Sequence, residues 1–280
     1  MQILRSVNEL RGWSRAAHAA GRIVGLVPTM GALHEGHASL IRAARLRCGS
    51  VAASIFVNPT QFGPNEDFAR YPRAFEADCD LAEHLGADAV FAPRVEEMYP
   101  AGAATFVEVD GVGSRLDGAS RPGHFRGVAT VVTKLLIAAE PDLAFFGQKD
   151  AAQVAVLRRM TVDLRLGTEI VVCPIVREAD GLALSSRNVY LSADERRQAL
   201  ALSRAIRSVE ALFAKGELRA GILIEAAREI LFAQTLVRID YVALVDWNTL
   251  EPLEKAAPGA LFAVAAWVGT TRLIDNTILG

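Results

Sequence analysis

The chain has 280 residues, 51% of them hydrophobic and 22% charged, with a formal net charge of −2. That is ample material for a large core, and it excludes a disordered chain, which needs low hydrophobicity and high net charge. The balanced charge, without blocks of one sign, excludes a broad nucleic-acid or anionic-membrane footprint, and the longest uncharged stretch, 256–271, contains Pro258-Gly259 and falls short of the roughly 20 apolar residues of a spanning helix.

The N-terminus carries Arg5, Glu9, Arg11 and Arg15 and does not read as a secretory signal. Residues 22–28 read as a buried strand, 37–47 as a helix with Leu40, Ile41 and Ala44 on one face, and 51–57 as the next strand. A helix over 75–85, a short strand at 89–92, an apolar helix over 127–139, a strand at 142–146, a helix over 151–163 and a strand at 169–176 follow. Apolar strands alternating with helices imply a parallel sheet covered on both faces. After residue 176 the alternation stops. Ser192-x-x-Glu195 has the form of a capping box and opens a helix to about residue 215. A second helix covers 220–233, with strand-like runs at 240–247 and 261–268 and a shorter one at 272–274. The expectation is an α/β chain with a parallel-sheet domain over 1–176 and a smaller α+β domain over 177–280. Cys48, Cys79 and Cys173 show no paired spacing, which fits inert buried thiols in a reducing cytoplasm.

In an open parallel sheet, ligands bind beyond the carboxyl ends of the strands, so the residues after each strand matter most. The first strand leads into Pro28-Thr29-Met30-Gly31-Ala32-Leu33-His34-Glu35-Gly36-His37. His34 and His37 share a face if a helix begins there, and a helix N-terminus already favours anions. Gly36 would let a ligand approach the backbone closely. A phosphate site is one reading, and a metal site or structural histidines are the others. The spacing is not that of the helical zinc-protease motif. Asn58-Pro59-Thr60-Gln61-Phe62-Gly63 follows the second strand, where Asn58 and Gln61 suit hydroxyls and a carboxylate or simply form an Asn-Pro turn. The polar, aromatic segment 63–73 reads either as a mobile gate or as a static loop.

Gly147-Gln148-Lys149-Asp150 and Gln153 come after the strand at 142–146. Lys149 can neutralise a phosphate and Asp150 can accept from a ribose, or Asp150-x-x-Gln153 is a capping pair. After the strand ending at Val176, a turn leads to Leu184-Ser185-Ser186-Arg187-Asn188, two hydroxyls beside an arginine that can clamp an oxyanion. Gly111-Val112-Gly113-Ser114-Arg115-Leu116 begins like a dinucleotide fingerprint but lacks its third glycine and its strand-then-helix setting, so it reads as a loop. Arg121-Pro122-Gly123-His124-Phe125-Arg126 is a turn carrying three side chains able to be cations, either an anion contact or structural.

The stretch 28–37, with its His-x-Gly-His, resembles the nucleotide-binding signature of the nucleotidylyltransferase superfamily, which includes the class I aminoacyl-tRNA synthetases. The residues 54–62, 121–127, 146–150, 180–188, 265–269 (AAWVG) and Arg272-Leu273-Ile274-Asp275-Asn276 resemble, together and in order, the pantothenate synthetase family. The resemblance implies a Rossmann-like N-terminal domain, a smaller C-terminal lid and a cytoplasmic homodimer. It implies ATP-dependent ligation of (R)-pantoate and β-alanine through a pantoyl-adenylate, with Mg²⁺ accompanying ATP and with neither nucleic acid nor membrane as partner. By the same resemblance His34, His37 and Lys149 would be catalytic, with His37 a proton donor. The 30–37 backbone, Gly147, Gln148, Lys149, Asp150, Val176, Leu184, Ser185, Ser186 and Arg187 would hold ATP. Gln61, Gln153 and Asn58 would hold substrate, and no residue is implied as a metal ligand.

Overall fold

Six parallel strands build the first sheet, and the order of their neighbours sets where a ligand can enter. In the computed structural model, which describes residues 1–64 and 66–280, they are β1 (Gln2–Leu4), β2 (Val24–Thr29), β3 (Ser50–Ile55), β4 (Ala89–Phe91), β5 (Leu143–Gly147) and β6 (Glu169–Cys173). Their spatial order is β1-β4-β3-β2-β5-β6. The direction of travel reverses between β2 and β5, so the switch point lies where their carboxyl ends lead to Met30 and Gly147. β2 and β3 are buried along nearly their whole length, as strands covered on both faces are. The helices of this part are α1 (Val7–Ala19), α2 (Glu35–Arg47), α3 (Phe75–His84), the single turns α4 (Val95–Met98) and α5 (Asp117–Ser120), α6 (His124–Ala139) and α7 (Ala151–Asp163). Leu40, Ile41 and Ala44 of α2 pack with Val27, Val51, Val90 and Phe145, as their spacing predicts.

Two compact units emerge, Met1–Gly147 with Val156–Pro174, and Gln148–Ala155 with Ile175–Gly280. The second holds α8 (Ala193–Ala214), α9 (Ala220–Phe232) and an antiparallel sheet of β7 (Val237–Val245), β8 (Leu261–Val268) and β9 (Thr271–Ile278). Its core gathers Leu202, Ile206, Leu223, Leu231, Phe262 and Val264. The predicted capping box opens α8: the Ser192 side chain accepts from Glu195 N–H, and Glu195 accepts from Ser192 N–H. The architecture is therefore the expected one, a Rossmann-like parallel sheet with helices and, as a second part, a small antiparallel-sheet domain.

Several elements differ from the expected ones. β1 and α1 have no counterpart in the sequence reading, because a three-residue strand shows no period and α1 buries the small or polar Ser14 and Ala17 beside Leu10. α6 begins at His124 rather than 127, since Gly123 takes a left-handed φ of 83° and turns the chain directly into the helix. β6 stops at Cys173 because Pro174 has no N–H to continue the ladder. β9 runs on to Ile278 because Asp275 and Asn276, which look like loop residues, are buried in it. All three cysteines are free and buried, and burial pushes their thiol pKa values up, away from reactivity. Among the described residues, no helix is long and apolar enough to cross a membrane.

Candidate active site

The turn leaving β2 is forced into shape before any ligand arrives. Gly31 (φ 84°) and Ala32 (φ 50°) both take left-handed conformations, unfavourable for alanine. The Asp78 carboxylate on α3 compensates: it accepts from Ala32 N–H at 2.8 Å and from Leu33 N–H at 2.7 Å. A Cβ on Gly31 would sit 2.9 Å from the same carboxylate, so glycine is required there. Sequence reasoning missed Asp78, because an acid on a helix carries no local sign that it holds a turn 46 residues away.

α2 then begins at Glu35 with His34 as its N-cap. His34 Nδ1 accepts from Gly36 N–H at 3.1 Å, and His37 Nδ1 accepts from His34 N–H at 3.4 Å. A ring nitrogen that accepts carries no proton, so each neutral imidazole bears its hydrogen on Nε2. The two rings lie 4.1 Å apart. The helix N-terminus thus acquires two oriented N–H donors in addition to its own amides and dipole. Gly36 has a different reason from the expected one. A Cβ there would meet the His34 ring at 2.8 Å, so the capping imidazole, rather than a ligand, demands glycine.

The turn after β3 is a single 3-10 turn, Pro59–Gln61. Gln61 Oε1 accepts from Asn58 Nδ2 at 3.0 Å, and Gln61 Nε2 rests on Met30 Sδ at 3.2 Å. Asn58, expected to hold substrate, is itself held from several sides. Its side chain is 1% exposed, and both its ends are engaged within the protein. Nδ2 also donates to Gly127 O, while Oδ1 accepts from the Thr60 and Tyr99 hydroxyls. Asn58 therefore orients Gln61, and Tyr99, absent from the sequence reading, orients Asn58.

Arg121, His124 and Arg126 of the turn at 121–126 all have partners within the protein. Arg121 donates to both carboxylate oxygens of Glu66, at 2.8 and 2.5 Å, and to His124 Nε2 at 2.9 Å. Since arginine only donates, His124 carries its proton on Nδ1 and donates it to Gln61 O at 2.8 Å. Arg126 stacks its guanidinium 3.8 Å over the Phe106 ring. The segment considered as a gate is an aromatic cluster, with Phe62 5.4 Å from Phe68 and 6.0 Å from Tyr71, tied down by Arg73 and Glu66. Asn65 of that segment lies outside the described residues. The turn at 111–116 is a loop around Val112–Ser114, as expected.

His124 supplies a pH prediction. Burial, reinforced by the Arg121 charge, pushes its pKa down from 6.5 to about 4. Between those values the unfolded chain binds the proton and the folded one does not, so stability rises with pH across that window. The contribution is fully present above about pH 6.5 and is lost as the pH falls toward 4, on the order of 2–3 kcal/mol. Urea midpoints at pH 7 and pH 5 should therefore fall further apart in the native chain than in His124→Asn, whose amide can still reach Gln61 O.

In the second unit, Gln148–Asp150 form a 3-10 turn entering α7, with Lys149 Nζ 3.5 Å from Asp150 Oδ1. Gln153 is half-buried on the first turn of α7. Leu184 N–H donates to Val176 O at 3.0 Å, and Ser185 Oγ caps the turn Ser186–Tyr190 by accepting from Arg187 N–H. Arg196 on α8 braces this hairpin through Glu178 and Asp180 and holds the Glu178 carboxyl below its ordinary pKa. Within the first unit Gln61 meets Met30 and His34 meets His37, and within the second Lys149 meets Asp150 and Val176 meets Leu184.

A family model for pantoate-β-alanine ligase matches residues 2–278. The pantothenate synthetase of Acidobacterium capsulatum is 64% identical over 259 residues, covering 92% of this chain and 87% of that protein. The crystal structure of pantothenate synthetase from Thermus thermophilus superposes with a TM-score of 0.93 at 46% identity, over 99% of both chains. The Francisella tularensis pantoate-β-alanine ligase, crystallised with β-γ ATP and β-alanine, gives 0.81 at 32% identity, over 99% of this chain and 97% of that one. With the match running through every strand of both units, the chain belongs to the pantoate-β-alanine ligase family.

Proposed function

We propose that this ligase forms pantothenate in two steps, through a pantoyl-adenylate made from ATP. A pantoate carboxylate oxygen attacks the α-phosphorus, the bond to the β-phosphate oxygen breaks, and pyrophosphate leaves. The β-alanine nitrogen then attacks the acyl carbon and AMP departs. The observation that carries the reading is the His34–His37 pair, whose inward Nδ1 atoms leave Nε2–H as the donor of each neutral ring. Such preset donors suit charge developing on a phosphate, where one well-placed group contributes about 3–4 kcal/mol. Lys149, Ser185, Ser186 and Arg187 would supply further donors to the triphosphate, and Asp150 with Gly147 would hold the ribose. Adenine would meet the hairpin at Val176 N–H and Leu184 C=O, since the other two groups of that pair already bond each other.

Gln61 and Gln153 would hold pantoate. The Gln61 amide rests on a thioether, a weak acceptor that a pantoate oxygen would better replace. Gln61→Ala should therefore raise the KM for pantoate and leave that for ATP near normal, and an effect confined to ATP would refute the placement. Mg²⁺ accompanying ATP would be held chiefly by phosphate oxygens and waters, as it usually is beside a nucleotide, and would neutralise phosphate charge.

The amine step needs a neutral nitrogen, about one molecule in 10³ at pH 7 for a pKa near 10. Positioning against the acyl carbon would compensate for that scarcity. A cytoplasmic homodimer belongs to the same reading, and light scattering tests the dimer. Product analysis with ATP, Mg²⁺ and pantoate tests the two steps. AMP turnover that requires β-alanine, with an adenylate trapped in its absence, is expected, whereas ATP turnover indifferent to β-alanine would overturn the mechanism.

A further inference from the structure

We propose that Asp275 and Asn276 of β9 are positioning residues for the two nucleotide-binding turns of the second unit, a role that rests on the nucleotide reading given above. They close the motif that begins at Arg272, and they are 2% and 3% exposed inside a strand. Burying a carboxylate and a carboxamide is costly unless every polar atom is matched. Here the partners are specific. Asn276 Nδ2 donates to Gln148 O at 3.0 Å and to Lys149 O at 2.9 Å, while Gln148 Nε2 donates to Asn276 Oδ1 at 3.2 Å. Three bonds from one amide fix the peptide planes of the Gln148–Asp150 turn, and those planes set the direction in which Lys149 leaves the backbone.

Asp275 accepts both terminal nitrogens of Arg177, at 2.7 and 2.9 Å, and also the Asn276 N–H at 2.8 Å. Arg177 in turn donates to Gly181 O at 3.2 Å, across the hairpin whose next rung joins Val176 and Leu184. Successive residues of a strand point to opposite faces. One dipeptide thereby grips two loops that lie far apart in the chain, and both loops carry the groups assigned to ATP. Asn276 acts on the nucleotide through Lys149, and Asp275 acts through the 176–187 hairpin.

The test uses the full chain and calorimetric binding of β,γ-methylene-ATP with Mg²⁺, for Asn276→Asp, Asn276→Ala, Lys149→Ala and the Asn276→Ala/Lys149→Ala double variant. Asn276→Asp keeps the shape but turns an acceptor toward two carbonyls. Each single change is expected to weaken binding roughly tenfold or more, the Asn276 changes by analogy with loss of the outer hydrogen bonds that orient metal ligands. The double variant should be no weaker than the worse single by more than about threefold, because both changes remove one function. The alanine variant answers the question if the aspartate variant does not fold. Folded Asn276 variants with native affinity, or losses that multiply in the double variant, would overturn the role of Asn276 while leaving Lys149 in place. Native binding and turnover in Lys149→Ala would instead overturn the nucleotide reading itself. Asp275→Asn should raise the KM for ATP with that for pantoate unchanged, and an unchanged KM for ATP would overturn its half of the proposal.

Discussion

Lys149→Ala is expected to slow pantoyl-adenylate formation by about 10²–10³-fold while leaving the fold and pantoate affinity nearly intact. The lysine side chain is 22% exposed, and its resident partner, Asp150, sits 3.5 Å away with 47% exposure. A single long ion pair with a half-exposed aspartate contributes about 1 kcal/mol, so its loss would have little effect on stability. A phosphate meeting the same ammonium away from bulk water would gain far more, and would gain most as charge moves onto the leaving pyrophosphate. The two roles therefore separate cleanly in a single-turnover measurement of pyrophosphate release. A large drop in rate with an unchanged Tm places Lys149 on the phosphates, and near-native release would return it to a surface pair with Asp150. Lys149→Arg should not restore the rate, because a planar fork on a different stem does not reproduce a compact ammonium.

The legibility of this chain follows the range of its interactions. The central strands could be read because burial on both faces leaves long apolar runs, and α2 because its apolar face recurs with helical spacing. His34 and His37 stood out because they lie three residues apart where a helix follows a strand, and the capping that fixes them is equally local. The supports did not stand out. Asp78 reaches back 46 residues to the 31–33 turn, Tyr99 reaches 41 to Asn58, and Asn276 reaches 127 to Lys149. Each looks locally like an ordinary polar residue of a helix, loop or strand end, and only the fold reveals its partner. Asn58 shows the converse: its type and its place after a strand suggested a ligand contact, but burial has turned both ends of its amide inward.

Gly127→Ala is expected to destabilise the protein and to raise the KM for pantoate about tenfold or more, although it replaces a helical glycine. Helix propensity alone argues for the opposite sign, since alanine is better than glycine by about 1 kcal/mol in a helix interior. Packing decides against it. A Cβ at 127 would lie 2.3 Å from Thr60 O, 2.5 Å from Thr60 C and 2.6 Å from Gln61 N. These are backbone atoms of the Pro59–Gln61 turn and cannot swing aside as a side chain would. The turn is also pinned to α6 by Asn58 Nδ2, which donates to Gly127 O at 3.2 Å, and by His124, which donates to Gln61 O. Overpacking of this kind costs about 1–3 kcal/mol and more where backbone must move, which exceeds the propensity gain. A net loss of about 1–2 kcal/mol corresponds to a fall in Tm of roughly 2–8 °C in a chain of this size. The relaxed turn carries Gln61 with it, away from Met30 and from the orientation that Asn58 imposes. Tm and the KM for pantoate should therefore change together in Gly127→Ala. A raised Tm with unchanged KM would mean that α6 and the turn part freely, and that the placement of Gln61 does not depend on the contact between them.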